Sequence, residues 1–248
     1  MKYQVLIVII TVIAYIVLYN WANDIHIQVF DSRKEGPRVF MIGGTHGNEP
    51  AGTLGLEQLI IQFRTGKIRL ESGMIAIVSH PNKLGLECNS RWLLHRLCHR
   101  DLNRNYPTND YEQARDPISS RITKWIKDYN INFILDFHEG WGYSIINNDS
   151  MGSGIFPGLL HNSKQIAEDI VVSLNHSISN PSKKFTIQFN KHPTIRSLKN
   201  YANYKKIDYI LVETSGQNDI QPKSVRIEQV LHIIHHVLQR FQMIAYIT

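Results

Sequence analysis

The sequence predicts a three-layer α/β/α fold, in which helices cover both faces of a mixed, largely parallel central sheet. Short apolar segments alternate with segments of helical periodicity along the chain, as in strands that are joined by crossover helices. Two of the apolar segments, residues 39–42 and 74–78, contain no polar residue, which is typical of strands buried on both faces. The 248 residues fit one large domain of this class.

Each element follows from its own pattern. Alternating apolar and polar side chains at residues 25–30 predict a half-buried strand, whereas residues 50–63 carry apolar side chains at helical spacing. Residues 80–110 are rich in Asn, Arg and His, and we expect an irregular segment that displays binding residues. The same patterns predict further strands at 39–42, 74–78, 133–138 and 208–212 and further helices at 119–129, 163–179, 197–206 and 221–241.

The N-terminal segment is long and apolar. From Val5 to Tyr19 every residue is apolar or aromatic except Thr11. A helix that crosses the hydrocarbon core of a bilayer needs about 20 residues, and Asn20 and Trp21 can extend the run into the interface. A cleaved signal peptide has an apolar region of about 7–15 residues, but the residues that end this run make a poor cleavage site.

We therefore predict that residues 1–22 are an uncleaved signal anchor and that residues 23–248 form the functional domain. Lys2 favours a cytoplasmic N-terminus, which places that domain on the extracytoplasmic side of the membrane. A cleaved signal peptide, which would make the protein secreted, and a buried core segment are the alternatives.

Charge and cysteine content narrow the expected partners. Lys plus Arg exceed Asp plus Glu by 27 − 21 = 6, without the basic run that is typical of nucleic-acid arms. We therefore expect no nucleic-acid partner, and the charge slightly favours anionic ligands. Cys88 and Cys98 form no CxxC pair, so a cysteine zinc site is not predicted. The sequence leaves open whether they form a disulfide or remain free thiols.

The most informative motif is His46-x-x-Glu49, which follows an apolar strand and two glycines. The glycines allow a sharp turn, after which both side chains can face one metal ion. His138 ends another apolar strand and offers a third ligand. Two histidines and one carboxylate, with the fourth position left to water, are typical of hydrolytic rather than structural zinc. The sequence thus predicts a single Zn²⁺ ion bound by these three residues.

Two carboxylates near these ligands have separate predicted roles. Asp136 precedes His138 by two residues, so both side chains leave the same face of a strand, and Asp136 is predicted to orient a metal-bound imidazole. Glu213 follows a buried strand, where an acid is costly unless it is paired or used. We predict that Glu213 is the general base, which takes a proton from the attacking water and passes it to the leaving amine. His46, His138 and Glu213 each follow a predicted strand, so one crevice can hold all three.

A second motif, DLNR at residues 101–104, supplies groups that suit anions. The guanidinium of Arg104 can bind a carboxylate through two hydrogen bonds, and Asn103 can add a donor. Arg96 stands eight residues before Arg104, and a second arginine near the metal can stabilise an oxyanion.

Four motifs together resemble a known group of enzymes. They are GGTHGNEPAG (43–52), DLNRNYP (101–107), LDFHEG (135–140) and LVETSG (211–216). Their order is that of the zinc carboxypeptidases and of the related aspartoacylase and succinylglutamate desuccinylase deacylases. The first motif and the spacing from Arg96 to Arg104 resemble the aspartoacylase branch, whereas LVETSG resembles the carboxypeptidases.

This resemblance implies a zinc hydrolase domain and a role for each matching residue. The implied roles are zinc ligation by His46, Glu49 and His138, binding of the substrate's free carboxylate by Asn103 and Arg104, polarisation of the scissile carbonyl by Arg96, and catalysis by Glu213.

The implied activity is hydrolysis of an amide bond near a free carboxylate, as in a deacylase that acts on a small N-acyl amino acid. The alternative is a metallocarboxypeptidase that removes C-terminal residues from peptides. Only 35 residues follow Glu213, so we expect the C-terminal domain that caps the pocket of aspartoacylase-like enzymes to be absent, which favours peptides. A second alternative is an inactive binding module that retains zinc.

Overall fold

The computed structural model describes residues 2–189 and 194–247. Within them the strands are β1 (Gln28–Asp31), β2 (Arg38–Ile42), β3 (Ile68–Leu70), β4 (Met74–Val78), β5 (Phe133–Gly140), β6 (Gly154–Pro157), β7 (Thr186–Ile187), β8 (Asp208–Ser215) and β9 (Ile244–Tyr246). The helices are α1 (Lys2–Asn23), α2 (Pro50–Arg64), α3 (Lys83–Glu87), α4 (Pro117–Asp128), α5 (His161–Ser177), α6 (Leu198–Tyr204) and α7 (Lys223–Arg240). Short 3-10 turns lie at Leu102–Arg104, Pro181–Lys183 and Gln217–Asp219.

A seven-stranded sheet forms the centre of the molecule, in the order β1-β4-β2-β5-β8-β6-β7, and β3 pairs with β9 in a separate ribbon. β2 runs parallel to β4 and β5, β5 runs parallel to β8, and β6 runs parallel to β7. The pairs β1–β4 and β6–β8 are antiparallel. The predicted three-layer fold with a mixed, largely parallel sheet is therefore confirmed.

Two apolar cores fill the space between this sheet and its helices. On one face, α2, α5 and α7 contribute side chains such as Leu56, Ile166 and Ile233. On the other face, α4 and α6 contribute side chains such as Ile122 and Leu198. β4 and β5 are buried along their whole length because both of their faces are covered. This burial fixes the register of the central strands, and with it the polar groups at their carboxyl ends.

The N-terminal helix α1 stands largely outside these cores. Its span Tyr3–Asn23 has a mean hydropathy of 2.4, and most of its apolar side chains are exposed. At 22 residues it is long enough to cross a bilayer. The buried-core alternative is wrong, because a core helix would be covered by the rest of the protein. A signal anchor and a signal peptide are both consistent with this helix.

The structure differs from the predicted elements in a few places. β1 begins at Gln28, because Ile25 packs into a core instead of starting the strand. β8 continues to Ser215, so Glu213 lies within the strand rather than after it. The elements β3, α3, β6, β7 and β9 have two to five residues each, too few to produce a recognisable period. Cys88 and Cys98 are free, exposed thiols.

Candidate metal centre and active site

The carboxyl ends of β2, β5 and β8 bring the predicted site residues together. After β2, Gly44 has a φ of +66°, a left-handed conformation that favours glycine, and the chain then turns through His46 to Glu49 at the start of α2. His138 in β5 lies directly opposite Glu213 in β8. Residues paired in this way project from the same face of the sheet, and all four side chains line one crevice.

His46, Glu49 and His138 converge in this crevice, and all three are buried. Glu49 Oε1 lies 2.8 Å from His46 Nδ1, and Glu49 Oε2 lies 2.7 Å from His138 Nδ1. The two Nδ1 atoms are 3.1 Å apart, and one potential ligand atom from each residue falls within 4.8 Å of the others. Two imidazoles and a carboxylate held this closely, and away from bulk water, fit a zinc ion.

The protonation of these groups reflects their convergence. Burial would raise the pKa of Glu49, but the charges and hydrogen bonds of His46 and His138 hold it well below its usual range. Burial would lower the pKa of His138, but the charges and hydrogen bonds of Asp136 and Glu49 raise it well above its usual range. The cluster therefore favours positive charge at its centre, which a divalent cation supplies when the imidazoles are neutral.

Two further carboxylates hold the imidazoles on the side away from the cluster. Asp136 Oδ1 lies 3.1 Å from His138 Nε2, and Asp136 Oδ2 accepts a hydrogen bond of 2.6 Å from the Tyr209 hydroxyl. Asp101 Oδ1 lies 3.2 Å from His46 Nε2. Each imidazole thus has a carboxylate at Nε2, which leaves Nδ1 for a metal. The sequence predicted the position of Asp136, but it did not reveal the contact of Asp101 with His46.

The 3-10 turn Leu102–Arg104 displays the predicted substrate-binding residues. Asp101 caps this turn by accepting a hydrogen bond of 3.0 Å from the Asn103 backbone N–H. Asn103 and Arg104 both line the crevice, and Asn103 Oδ1 accepts a hydrogen bond of 2.9 Å from the Leu198 N–H at the start of α6. Asp101 therefore links the turn that carries these two residues to His46.

The structure places Arg91 beside the metal cluster. Its Nη1 lies 3.3 Å from His46 Nδ1 and 3.6 Å from Glu49 Oε1. Its Nη2 lies 2.9 Å from Asp101 Oδ2, which holds the guanidinium in place. Arg91 also lines the crevice, so it is positioned to meet negative charge on a bound substrate.

Arg96 occupies a different environment from the one that the sequence predicted. Its guanidinium donates hydrogen bonds to the backbone carbonyls of Cys98 and Arg115 at 3.4 and 3.2 Å. It is not among the described residues that line the crevice. Arg91 rather than Arg96 therefore lies beside the metal cluster, which makes Arg91 a second candidate for the role that the sequence assigned to Arg96.

Glu213 lies in the same crevice, which encloses a cavity of about 1090 Å³. The residue as a whole is 9% exposed. Burial, the largest cause, and the charges of Glu49 and Asp136 raise its pKa to about 8, against the opposing charge of His138. A carboxyl group with a raised pKa exchanges protons near neutral pH, which suits a general base.

A buried ion pair supports the metal cluster from behind. Glu139 Oε1 accepts a hydrogen bond of 2.6 Å from the Ala51 N–H, and Glu139 Oε2 lies 2.8 Å from Arg226 Nη1. Arg226 also donates to the Gly216 carbonyl at 2.6 Å. A Cβ atom at Gly216 would overlap with Glu139 Oε2, which explains the glycine that ends the LVETSG motif. The pair joins the start of α2, the end of β5 and α7.

Replacing Arg226 with methionine is expected to lower the free energy of unfolding by about 3–5 kcal/mol, because Glu139 would be left buried without its partner. Chemical denaturation followed by circular dichroism measures this change. Arg240→Met on the same helix is the matched control, since Arg240 pairs with Asp169 at the surface, where a pair contributes about 0–1 kcal/mol. The double variant Arg226→Met/Glu139→Gln should recover part of the loss. Equal losses in the two arginine variants would contradict the buried pair.

A family model matches the part of the chain that contains most of this site. Residues 35–149 match the succinylglutamate desuccinylase/aspartoacylase catalytic domain. The matched segment includes His46, Glu49 and His138, whereas Glu213 lies beyond it. A search of the curated proteins found no significant match to the sequence. The resemblance that the motifs predicted is therefore confirmed.

Solved structures share the fold. Tripeptide-bound cell shape determinant protein Csd4 from Helicobacter pylori has a TM-score of 0.74 and 19% identity, and the match covers 91% of this chain and 57% of that chain. The mDAP-bound form of Csd4, described as a D,L-carboxypeptidase, has a TM-score of 0.70 and 19% identity over 86% of this chain and 52% of that chain. An aspartoacylase family protein from Mesorhizobium loti has a TM-score of 0.63 and 15% identity over 90% of this chain and 63% of that chain.

At identities of 15–19%, this structural likeness shows a common fold. The chain spans less than two thirds of the length of each of these proteins. What the chain shares with these proteins is the fold, and the family model adds sequence similarity to the succinylglutamate desuccinylase/aspartoacylase catalytic domain over residues 35–149.

Proposed function

We propose that the chain is a zinc-dependent hydrolase that cleaves an amide bond near a free carboxylate. The observation that carries this proposal is the convergence of His46, Glu49 and His138 in one crevice that also contains Glu213. The histidine and carboxylate set is typical of hydrolytic zinc. The buried Glu213 favours an active enzyme over an inactive zinc-retaining module, because without a reaction to perform this acid would only cost stability.

The three converging residues would hold the ion, His46 and His138 through Nδ1 and Glu49 through its carboxylate. A bound zinc ion lowers the pKa of water and polarises carbonyl oxygens. Asp101 and Asp136 keep the two imidazoles in the orientation that presents Nδ1 to the crevice.

Four further residues of the crevice have proposed tasks. Glu213 accepts a proton from the attacking water and donates it to the leaving amine. Arg91 stabilises the negative charge that develops on the carbonyl oxygen. Asn103 and Arg104 bind the free carboxylate of the substrate, at a distance from the cluster that the Asp101-capped turn fixes.

The proposed substrate is a peptide with a free C-terminal carboxylate. The cavity of about 1090 Å³ is near the upper limit of the ~300–1,000 Å³ range of small-molecule pockets, so it has room for a peptide, and the H. pylori protein of similar fold binds a tripeptide. A small N-acyl amino acid is the second candidate, and the family match over the metal-ligand segment favours it. Both substrates combine an amide bond with a free carboxylate.

We also propose that residues 1–22 anchor the protein in a membrane and that the zinc hydrolase domain, residues 23–248, lies on the extracytoplasmic side. The length and hydropathy of α1 support an anchor, and Lys2 supports a cytoplasmic N-terminus. A cleaved signal peptide is the alternative. N-terminal sequencing of the mature protein, purified from the membrane fraction, distinguishes the two.

Turnover of a tripeptide is expected to exceed turnover of an N-acetyl amino acid, and a chelator should abolish both until zinc is restored. The release of free amine measures the reaction. A tripeptide with an amidated C-terminus is the control, because it lacks the carboxylate that Arg104 is proposed to bind. Faster turnover of the N-acetyl amino acid would favour the deacylase, and bound zinc without turnover of either would favour the inactive module.

Exchanging the two candidate arginines for glutamine tests which one meets the carbonyl. Arg91→Gln is expected to lower kcat by about 10²–10³-fold, the usual cost of one oxyanion donor. Arg96→Gln should have a much smaller effect, because the hydrogen bonds of the Arg96 guanidinium go to the backbone carbonyls of Cys98 and Arg115 and not to the crevice. Steady-state kinetics at saturating zinc measures both variants. A larger loss of kcat in Arg96→Gln than in Arg91→Gln would show that Arg96, not Arg91, stabilises the carbonyl oxygen.

A further inference from the structure

The loop of residues 91–100, which we call the arginine–leucine loop, combines exposed apolar groups with positive charge. Trp92 is 42% exposed and Leu97 is 97% exposed. The loop contains Arg91, Arg96 and Arg100 and neither Asp nor Glu. Exposed Trp and Leu next to arginine are characteristic of segments that lie at a membrane surface.

This loop is in direct contact with α1. The Tyr15 hydroxyl donates to the His95 carbonyl at 3.4 Å, and the rings of Tyr19 and His95 meet edge to face at a centroid distance of 5.7 Å. His95 is only 5% exposed. The contacts hold the loop alongside the helix rather than beyond its end.

The position of the contact along α1 determines the depth of the loop. Tyr15 precedes Asn23, the last residue of α1, by eight residues, which at about 1.5 Å each place it about 12 Å back along the helix axis. Tyr15 lies within the apolar run itself. Because the headgroup regions together add only about 10–15 Å to the hydrocarbon thickness of a bilayer, a loop held beside Tyr15 reaches the lipid layer whenever α1 spans it.

We propose that the arginine–leucine loop docks into the headgroup layer of a membrane that contains anionic lipids, with Leu97 directed into the acyl boundary. This inference rests on the proposed membrane anchor and is independent of the hydrolase activity. Arg96 and Arg100 supply the positive charge that complements lipid phosphates. Each arginine is expected to increase the equilibrium constant for docking by about fivefold. Since Arg91 belongs to the same loop and lines the active-site crevice, docking would hold the crevice close to the membrane surface.

The native cysteines provide a direct test of depth. In the Cys88→Ser variant of the full chain, a nitroxide on Cys98 reports from the position next to Leu97, since Cys98 is exposed. The protein is reconstituted into vesicles of phosphatidylethanolamine with phosphatidylglycerol, or of phosphatidylcholine alone. The measured quantity is the rate at which the nitroxide collides with oxygen, which concentrates in lipid, divided by the rate at which it collides with a water-soluble nickel chelate. The control is a label at Val172→Cys with both native cysteines replaced, because Val172 is 72% exposed on α5, on the other face of the sheet.

The expected result is a higher oxygen-to-nickel collision ratio at Cys98 than at Val172, with the larger difference in the anionic vesicles. Leu97→Asp should lower the ratio at Cys98 to that of the Val172→Cys label, whereas Val172→Asp should leave the ratio at Cys98 unchanged. Arg100→Gln should lower the ratio of docked to undocked protein, as reported by the label at Cys98, by up to about fivefold. Equal collision ratios at Cys98 and Val172→Cys would overturn docking. Equal ratios at Cys98 in the two lipid mixtures would overturn the preference for anionic lipid. If the chain failed to float with either kind of vesicle, the membrane anchor would be wrong, and the inference with it. None of these readings depends on zinc or on turnover, so a failure of the proposed hydrolase activity is recognised separately.

Discussion

Replacing Glu213 with glutamine is expected to lower kcat by at least about 10²–10⁴-fold, the usual contribution of a general base, while zinc remains bound. The amide of glutamine keeps the shape of the side chain but cannot accept the proton of the attacking water. Glu213 is not among the residues that converge on the proposed metal position, so the zinc content of the variant should match that of the parent. Steady-state kinetics together with metal analysis of the purified protein measures both quantities.

The pH dependence of the parent enzyme gives a second reading of the same residue. Glu213 is a base only when ionised, so kcat/KM should rise with pH through its pKa. Burial raises that pKa to about 8, and a cation bound nearby shifts it downward because it favours the carboxylate. The acidic limb of the profile should therefore have its midpoint at or below about 8.

The exposed Glu228 offers a control, because Glu228→Gln removes the same charge from the surface of α7. This variant should retain parental kinetics and the parental pH profile. Near-parental turnover of Glu213→Gln would exclude Glu213 as the general base. A loss of zinc together with activity would instead make Glu213 part of the metal site.

The metal cluster was predictable because each of its residues follows a local pattern. His46 and Glu49 stand three residues apart, directly after a strand and two glycines. Asp136 and His138 share one face of a strand through its period of two. Parallel pairing of β5 with β8 then places Glu213 opposite His138, as expected where buried strands end at the same edge of a sheet.

The arginine beside the cluster was not predictable from patterns of this kind. Between Ser90 and Asp101 the chain forms neither helix nor strand, so no period indicates which arginine faces inward. The spacing to the DLNR motif favoured Arg96, whereas the ion pair with Asp101 holds Arg91 at the crevice. The partner of Glu139, Arg226, was equally hidden, because the two residues meet only after α7 has packed against the sheet.

Several acidic side chains are buried in the crevice or directly behind it, and the partners of each one indicate its role. Glu49 contacts two imidazoles, and Asp136 contacts His138 and the Tyr209 hydroxyl. Glu213 differs, since no described residue forms a hydrogen bond or an ion pair with its carboxyl group. A buried acid of raised pKa without a structural partner is characteristic of a catalytic group, whereas the paired acids are suited to hold the metal or its ligands.

This difference predicts an order of zinc affinities among three carboxylate variants. Asp101→Asn and Asp136→Asn should each weaken zinc binding by about 10–100-fold, the usual effect of losing a group that orients a ligand. Glu49→Gln should weaken it further, because the change removes a charged ligand that lies 2.8 and 2.7 Å from the two imidazole Nδ1 atoms. Competition with a chelating indicator dye measures the dissociation constant of each full-length variant.

Glu87→Gln is the matched control, because Glu87 is an exposed acid at the end of the nearby helix α3 and its loss should leave zinc affinity unchanged. Asparagine at position 101 retains an oxygen that can still cap the Leu102–Arg104 turn, so Asp101→Asn should alter zinc affinity more than the substrate KM. Thermal unfolding of the zinc-free variants separates lost affinity from lost folding. If Glu49→Gln bound zinc as tightly as Asp101→Asn and Asp136→Asn do, Glu49 would be a group that orients a ligand. The predicted ligand set of two histidines and one carboxylate would then be incorrect.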